Sequence, residues 1–136
     1  MAWVVDTSVV LDLVTGDPDF EPSSVACLQS RLGDGLVVCP VTFVELGPSF
    51  SGNVESAEAF LNASRIGFSE GWSEADTALA HQLWHQHQLR RQQLQIKKRP
   101  VADILIAAFA SRFQGFITRN ASDFRKILPS ISLIEP

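Results

Sequence analysis

Four carboxylates in this sequence stand where acids are costly to keep. Asp6 ends the apolar run Trp3-Val4-Val5, and Glu45 sits among Phe43, Val44 and Leu46. Asp103 lies in Ala102-Asp103-Ile104-Leu105-Ile106-Ala107-Ala108, and Asp123 closes Thr118-Arg119-Asn120-Ala121-Ser122-Asp123. A lone buried carboxylate must be paired, protonated or bound to a metal. No base adjoins Asp6 or Glu45 in the chain, so a divalent cation is the economical solution. All-oxygen ligands suit Mg²⁺, or Mn²⁺ in its place, better than Zn²⁺. Such an ion activates water and stabilises a leaving oxygen in phosphodiester hydrolysis. Taken singly, the same residues have plainer readings. Asp6 is a helix cap, Asp103 an acid opposing the positive end of its helix, and Asp123 a cap or turn residue.

The elements that must position these groups follow from periodicity and punctuation. Trp3 to Val5 reads as a buried strand, and Asp6-Thr7-Ser8 starts a helix that Gly16-Asp17-Pro18 ends. Ser23 to Leu32 forms a second helix and Leu36 to Cys39 a second strand. A helix within Pro40 to Phe50 carries Glu45 and stops near Gly47-Pro48. Asn53 caps another helix, and Ile66 to Phe68 is a short strand. Ser73 with Asp76 resembles a capping box and opens a long helix on which Leu79, Leu83, Trp84 and His87 share a face. Residues 88–99 are rich in Gln, Lys and Arg, and Pro100 breaks the pattern. Ala102 to Phe113 resumes a helix, Gly115 to Thr118 is a strand, Ser122 to Ile127 a short helix and Ile131 to Ile134 a last strand. Strands alternating with helices predict an α/β fold with a largely parallel sheet. Ligands bind such sheets beyond the carboxyl ends of the strands, where Asp6 and the Thr118–Asp123 segment are expected.

Composition narrows the class further. The 136 residues suit a single domain spanning 1–136, and 46% hydrophobic against 19% charged residues is a globular balance. Mean hydropathy is +0.11, and no apolar run nears the ~20 residues of a membrane span. The early carboxylate at Asp6 argues against a signal peptide, so a cytoplasmic protein is expected. Cys27 and Cys39 belong to no zinc pattern and read as reduced core thiols. Net charge is −4, but residues 1–80 hold twelve acids against Arg31 and Arg65, while the remainder holds nine bases against Asp103, Asp123 and Glu135. That asymmetry suggests one face for a polyanion and another for a cationic partner. Arg90, Arg91, Lys97, Lys98 and Arg99 lead into Asp103 and are placed to guide phosphates. His81 and His85 have the spacing of a two-histidine metal pair, but Gln82 stands where HEXXH needs glutamate. The sequence holds no P-loop, GxGxxG or GxSxG.

Val4-Val5-Asp6-Thr7-Ser8, Val44-Glu45-Leu46, Ala102-Asp103-Ile104-Leu105-Ile106-Ala107-Ala108 and Thr118-Arg119-Asn120-Ala121-Ser122-Asp123-Phe124 resemble, in order, the motifs of PIN-domain ribonucleases. The likeness is greatest to the VapC toxins of toxin–antitoxin pairs, and it runs the length of the chain. The resemblance implies a three-layer α/β/α sandwich and a Mg²⁺-dependent endoribonuclease that cuts single-stranded or loop RNA. It implies that Asp6, Glu45, Asp103 and Asp123 form the catalytic, metal-binding cluster. Thr7, Ser8, Thr118 and Asn120 would add hydrogen bonds, and Lys97, Lys98, Arg99 and Arg119 would meet RNA. A homodimer and a cognate antitoxin are the implied partners. Many relatives have aspartate where this chain has Asn120, so one acid of the set is absent. An Asp-first α/β chain also suggests a haloacid-dehalogenase phosphatase, but Ser8 occupies the place of its second aspartate. The same resemblance also fits a PIN nuclease of RNA processing without a toxin role, or a degenerate PIN module that serves as a protein-binding scaffold.

Overall fold

In the computed structural model, which describes residues 1–95 and 100–136, five short strands form one all-parallel sheet. They are β1 (Trp3–Val5), β2 (Leu36–Val37), β3 (Ile66–Gly67), β4 (Gly115–Ile117) and β5 (Leu133–Ile134), in the order β3-β2-β1-β4-β5. The connecting helices are α1 (Thr7–Thr15), α2 (Glu21–Arg31), α3 (Pro40–Glu45), α4 (Val54–Ala63), α5 (Glu74–Leu94), α6 (Val101–Ala110) and α7 (Ala121–Ile127). A 3₁₀ turn, Gly47–Phe50, follows α3.

Side chains along a strand alternate between faces, and the burial here follows that rule. Val4, Val37 and Phe116 point to one face and pack with Ala80, Leu83, Ile104, Phe109 and Phe124 from α5, α6 and α7. Trp3, Val5, Leu36, Ile66 and Ile117 point to the other and meet Val9, Val10, Leu28 and Leu61 from α1, α2 and α4. The result is the expected α/β/α sandwich. Close packing also fixes one glycine: a Cβ at Gly115 would run into the Trp3 indole and lie 2.6 Å from the Ser132 carbonyl oxygen.

Most expected elements are present, with shifted ends. The Ser73–Asp76 capping box forms reciprocally, and Asn53 Oδ1 accepts from the Ser56 N–H at 3.0 Å. The long helix, for which the sequence marks a start but no end before Pro100, runs to Leu94 and makes Arg90 and Arg91 helical. Gln, Arg and Leu are good helix formers, so the helix persists after its apolar face gives out. The predicted strand Leu36–Cys39 is only two residues long, because Val38 and Cys39 lead directly into α3 at Pro40. Among the described residues no helix is long and apolar enough to cross a membrane.

Candidate active site

The strand order reverses direction between β1 and β4, and the crevice at such a switch point is where open parallel sheets bind ligands. Val5 pairs with Ile117 at the carboxyl ends of these two strands, so the next residues, Asp6 and Thr118, come out side by side. The Asp6 N–H bonds the Ile117 carbonyl at 2.9 Å. Asp6 is the N-cap of α1, and its Oδ1 accepts from the Thr7 N–H at 2.8 Å. Its Oδ2 accepts from Ser8 Oγ at 2.9 Å and from Thr118 Oγ1 at 2.7 Å. The capping role is therefore real, but it accounts for only one of three donors.

Asp6 is 5% exposed. Burial, foremost, pushes its pKa up, and the nearby Asp103 adds to the rise, while the bonds from Thr118, Ser8 and Thr7 oppose it. The carboxylate is thus held by neutral donors in a place that disfavours its charge. Asp103 comes from the first turn of α6, half-buried, beside the fully buried Ile104 and Ala107.

Glu45 reaches the same neighbourhood from the last residue of α3. Thr7 Oγ1 donates to its Oε1 at 2.7 Å, and Thr42 Oγ1 lies 2.9 Å from Thr7 Oγ1. A carboxylate only accepts, so the one Thr7 hydroxyl hydrogen goes to Glu45 and Thr42 donates to Thr7. Contrary to expectation, Glu45 is exposed, as is Val44. α3 is short and turns its end to solvent, so an apolar sequence context there does not mean an apolar place.

The Asn120 N–H donates to Thr118 Oγ1 at 3.0 Å, which joins the start of α7 to the site through its backbone. Asp123 stands in the first turn of α7, half-buried, with its N–H on the Asn120 carbonyl. Hydrogen bonds thus bring Asp6, Thr7, Ser8, Glu45, Thr118 and Asn120 into one neighbourhood, with Asp103 acting on Asp6 through space. Among the described residues, no three His, Cys, Asp or Glu side chains stand together as a ready metal-holding group.

Arg119, expected to meet RNA, is engaged elsewhere. Its Nη2 lies 2.8 Å from Asp12 Oδ1, and its guanidinium sits 4.0 Å over the Phe20 ring. Lys97, Lys98 and Arg99 lie outside the described residues. Thr42 and Asp12 are the residues that sequence reasoning missed. Thr42 is buried and precedes Glu45 by one helical turn, a spacing that places both on one face. Asp12 is a carboxylate within the apolar run Val9 to Val14, the same signal that singled out Glu45. His81 lines an apolar groove of about 540 Å³ with Val41, Trp72, Trp84 and Val101, and that groove contains none of the site carboxylates.

No family model and no curated protein matches the sequence. Among solved structures, the chain is similar to a chain of VapBC2 from Rickettsia felis, crystallised bound to a DNA fragment from their promoter. The TM-score is 0.66 at 19% identity, over 99% of this chain and 98% of the other. The chain has a PIN-like fold. At that identity the likeness establishes the path of the backbone, and function has to be argued from the side chains just described.

Proposed function

We propose that this PIN-like chain is a Mg²⁺-dependent endoribonuclease cutting single-stranded or loop RNA, and the toxin of a toxin–antitoxin pair. The observation that carries this reading is Asp6, a carboxylate 5% exposed at the switch point of the sheet, near a second carboxylate and held, among the described residues, by neutral donors. A buried place that raises the cost of negative charge, yet keeps the Asp6 carboxylate in it, is one that a cation would relieve. The donors fit Mg²⁺ or Mn²⁺, since all are oxygens. Asp6 and Asp103 would hold the ion, with Glu45 and Asp123 as further ligands. Among the described residues these side chains do not stand together as a ready cage, so binding would have to draw them in.

When bound, the metal supplies an acidic water and charge stabilisation for phosphodiester hydrolysis, leaving 5′-phosphate and 3′-hydroxyl ends. The chain's own residues supply order. Ser8, Thr118 and the Thr7 N–H fix both oxygens of Asp6, and the Thr7 hydroxyl steers Glu45. Groups set in advance need not reorganise during reaction. The likeness to a VapBC2 chain supports a protein partner, a cationic antitoxin suited to the acid-rich first eighty residues. A second copy of the chain is the other proposed partner.

The test is cleavage of structured RNA with exposed loops by purified protein in Mg²⁺ or Mn²⁺, stopped by EDTA. Asp6→Asn should lower the rate by several orders of magnitude, because electrostatics at a metal site dominate catalysis. Undiminished cleavage by Asp6→Asn would sink the assignment. Mg²⁺ binding without any cleavage would mark a scaffold, and a phosphoenzyme trapped on Asp6 would mark a phosphatase.

A further inference from the structure

Arg119 stands between the two residues that tie β4 to Asp6. Thr118, before it, donates to Asp6 Oδ2, and the N–H of Asn120, after it, donates to Thr118 Oγ1. Its own side chain crosses to α1 and α2. Asp12, its partner on α1, is 2% exposed, and the other carboxylate oxygen accepts from Ser24 Oγ on α2 at 2.9 Å. Phe20, just before α2, covers the guanidinium face. Asp12 is thus an anchor with little freedom, and it belongs to the helix whose N-cap is Asp6. The guanidinium is committed on an edge and on a face, which leaves it poorly disposed to grip a phosphate.

We infer that Arg119 is a positioning residue: through Asp12 and Phe20 it clamps the Thr118–Asn120 turn against α1, and so holds the Thr118 hydroxyl on Asp6. In its kinetic and metal-binding consequences this rests on the nuclease reading above. In its structural consequence it does not. The direct bond and the clamp fasten the same two segments at different points, so loss of the clamp leaves the Thr118 side chain with its short bond to Asp6 but without the brace beyond it.

The experiment compares wild type with Arg119→Gln, Arg119→Lys and Phe20→Leu. It reads exchange of the Asn120 amide proton by NMR, Mn²⁺ affinity by electron paramagnetic resonance, and single-turnover RNA cleavage over a range of salt. With Arg119→Gln, Asn120 exchange should quicken at least about tenfold, since opening of the turn is no longer opposed. Mn²⁺ affinity and the maximal cleavage rate should each fall by about 10–100-fold, the usual effect of removing support from a ligating carboxylate. The half-saturating RNA concentration and its salt dependence should stay unchanged. Arg119→Lys should recover part of the loss, and Phe20→Leu should show a smaller loss in the same direction.

A weaker RNA affinity with a flatter salt slope, at unchanged maximal rate, would overturn the inference in favour of a phosphate contact. A lower melting temperature, with Asn120 exchange and Mn²⁺ affinity as in wild type, would reduce Arg119 to a brace. If wild type cuts no RNA, the nuclease reading fails, and the Asn120 exchange still decides the clamp. If Arg119→Gln does not fold, Phe20→Leu decides it, because Phe20 is 42% exposed and its loss opens no cavity.

Discussion

Thr118 Oγ1 and Asp6 Oδ2 are 2.7 Å apart, although 112 positions separate them in the chain. The bond is buried and spans the carboxyl ends of two adjacent parallel strands. It is the most direct link between the first residues of the fold and the segment that starts α7, and it bears on the charge of Asp6.

Removing that donor has a defined effect. Thr118→Val keeps the shape but, among the described residues, leaves Asp6 Oδ2 with only Ser8, which should cost about 1.5–3 kcal/mol of stability in urea unfolding. The Thr118 bond lowers the Asp6 pKa, so its loss should raise that pKa further, as followed by carboxyl carbon NMR. Thr118→Ser, which keeps the hydroxyl, should stay near wild type. Equal stability and an unmoved Asp6 in the Val variant would mean that the bond is weak in solution.

The raised pKa of Asp6 makes a signed statement about pH. The folded chain keeps the Asp6 proton to a higher pH than the unfolded chain does, so deprotonation costs stability. Without metal, wild type should therefore lose stability relative to Asp6→Asn as pH rises from the ordinary carboxylate range through the raised pKa. Above that pKa the difference should be flat. Melting curves in EDTA across this range check it, and a wild-type disadvantage that grows on acidification would have the wrong sign.

Asp103→Asn should act in two opposite directions. It removes a charge that repels Asp6, so the metal-free protein should melt higher. It also removes a proposed ligand, so the gain in melting temperature with added Mg²⁺ should shrink. Loss of a simple first-turn acid would instead lower both forms by a similar, small amount. A lower melting point in EDTA with the full Mg²⁺ shift would show that Asp103 is structural.

Lys97, Lys98 and Arg99 keep their proposed role in RNA binding. If all three meet phosphates, their replacement by Ala should flatten the plot of log affinity against log salt by about 2, at ~0.7 per phosphate of a single strand. An unchanged slope would return the segment to a solvated surface.

The strands and caps are legible in the sequence because each has a local cause. Trp3-Val4-Val5 is apolar and β-branched, Asp6-Thr7-Ser8 is a capping sequence, and Ser73 with Asp76 makes the box its spacing predicts. What stays hidden depends on contacts far along the chain. Nothing near Arg119 in sequence says that its partner is Asp12, just as nothing near Arg112 names Asp76, whose carboxylate it meets at 3.1 Å. Both pairs join a base of the second part to an acid of the first. The charge asymmetry along the sequence is therefore partly folded away inside the molecule, and it overstates the contrast between faces. Glu45 misleads for the opposite reason: a run of apolar neighbours does not bury a residue at the exposed end of a short helix.

The position of β1 in the middle of the sheet also has a consequence for how the protein comes into being. β1 is made long before β4, yet they pair residue for residue at the centre. Joining them means closing a loop over most of the chain, an entropic cost that comes before any reward from the contact and that slows folding. On the ribosome, Asp6 emerges on the order of ten seconds before Thr118 at ordinary rates of synthesis. Until then its carboxylate lacks the strand that buries it and the hydroxyl that orients it. A growing chain therefore carries the acid without the site, and whatever chemistry Asp6 performs is withheld until Thr118, 112 positions later, has been translated.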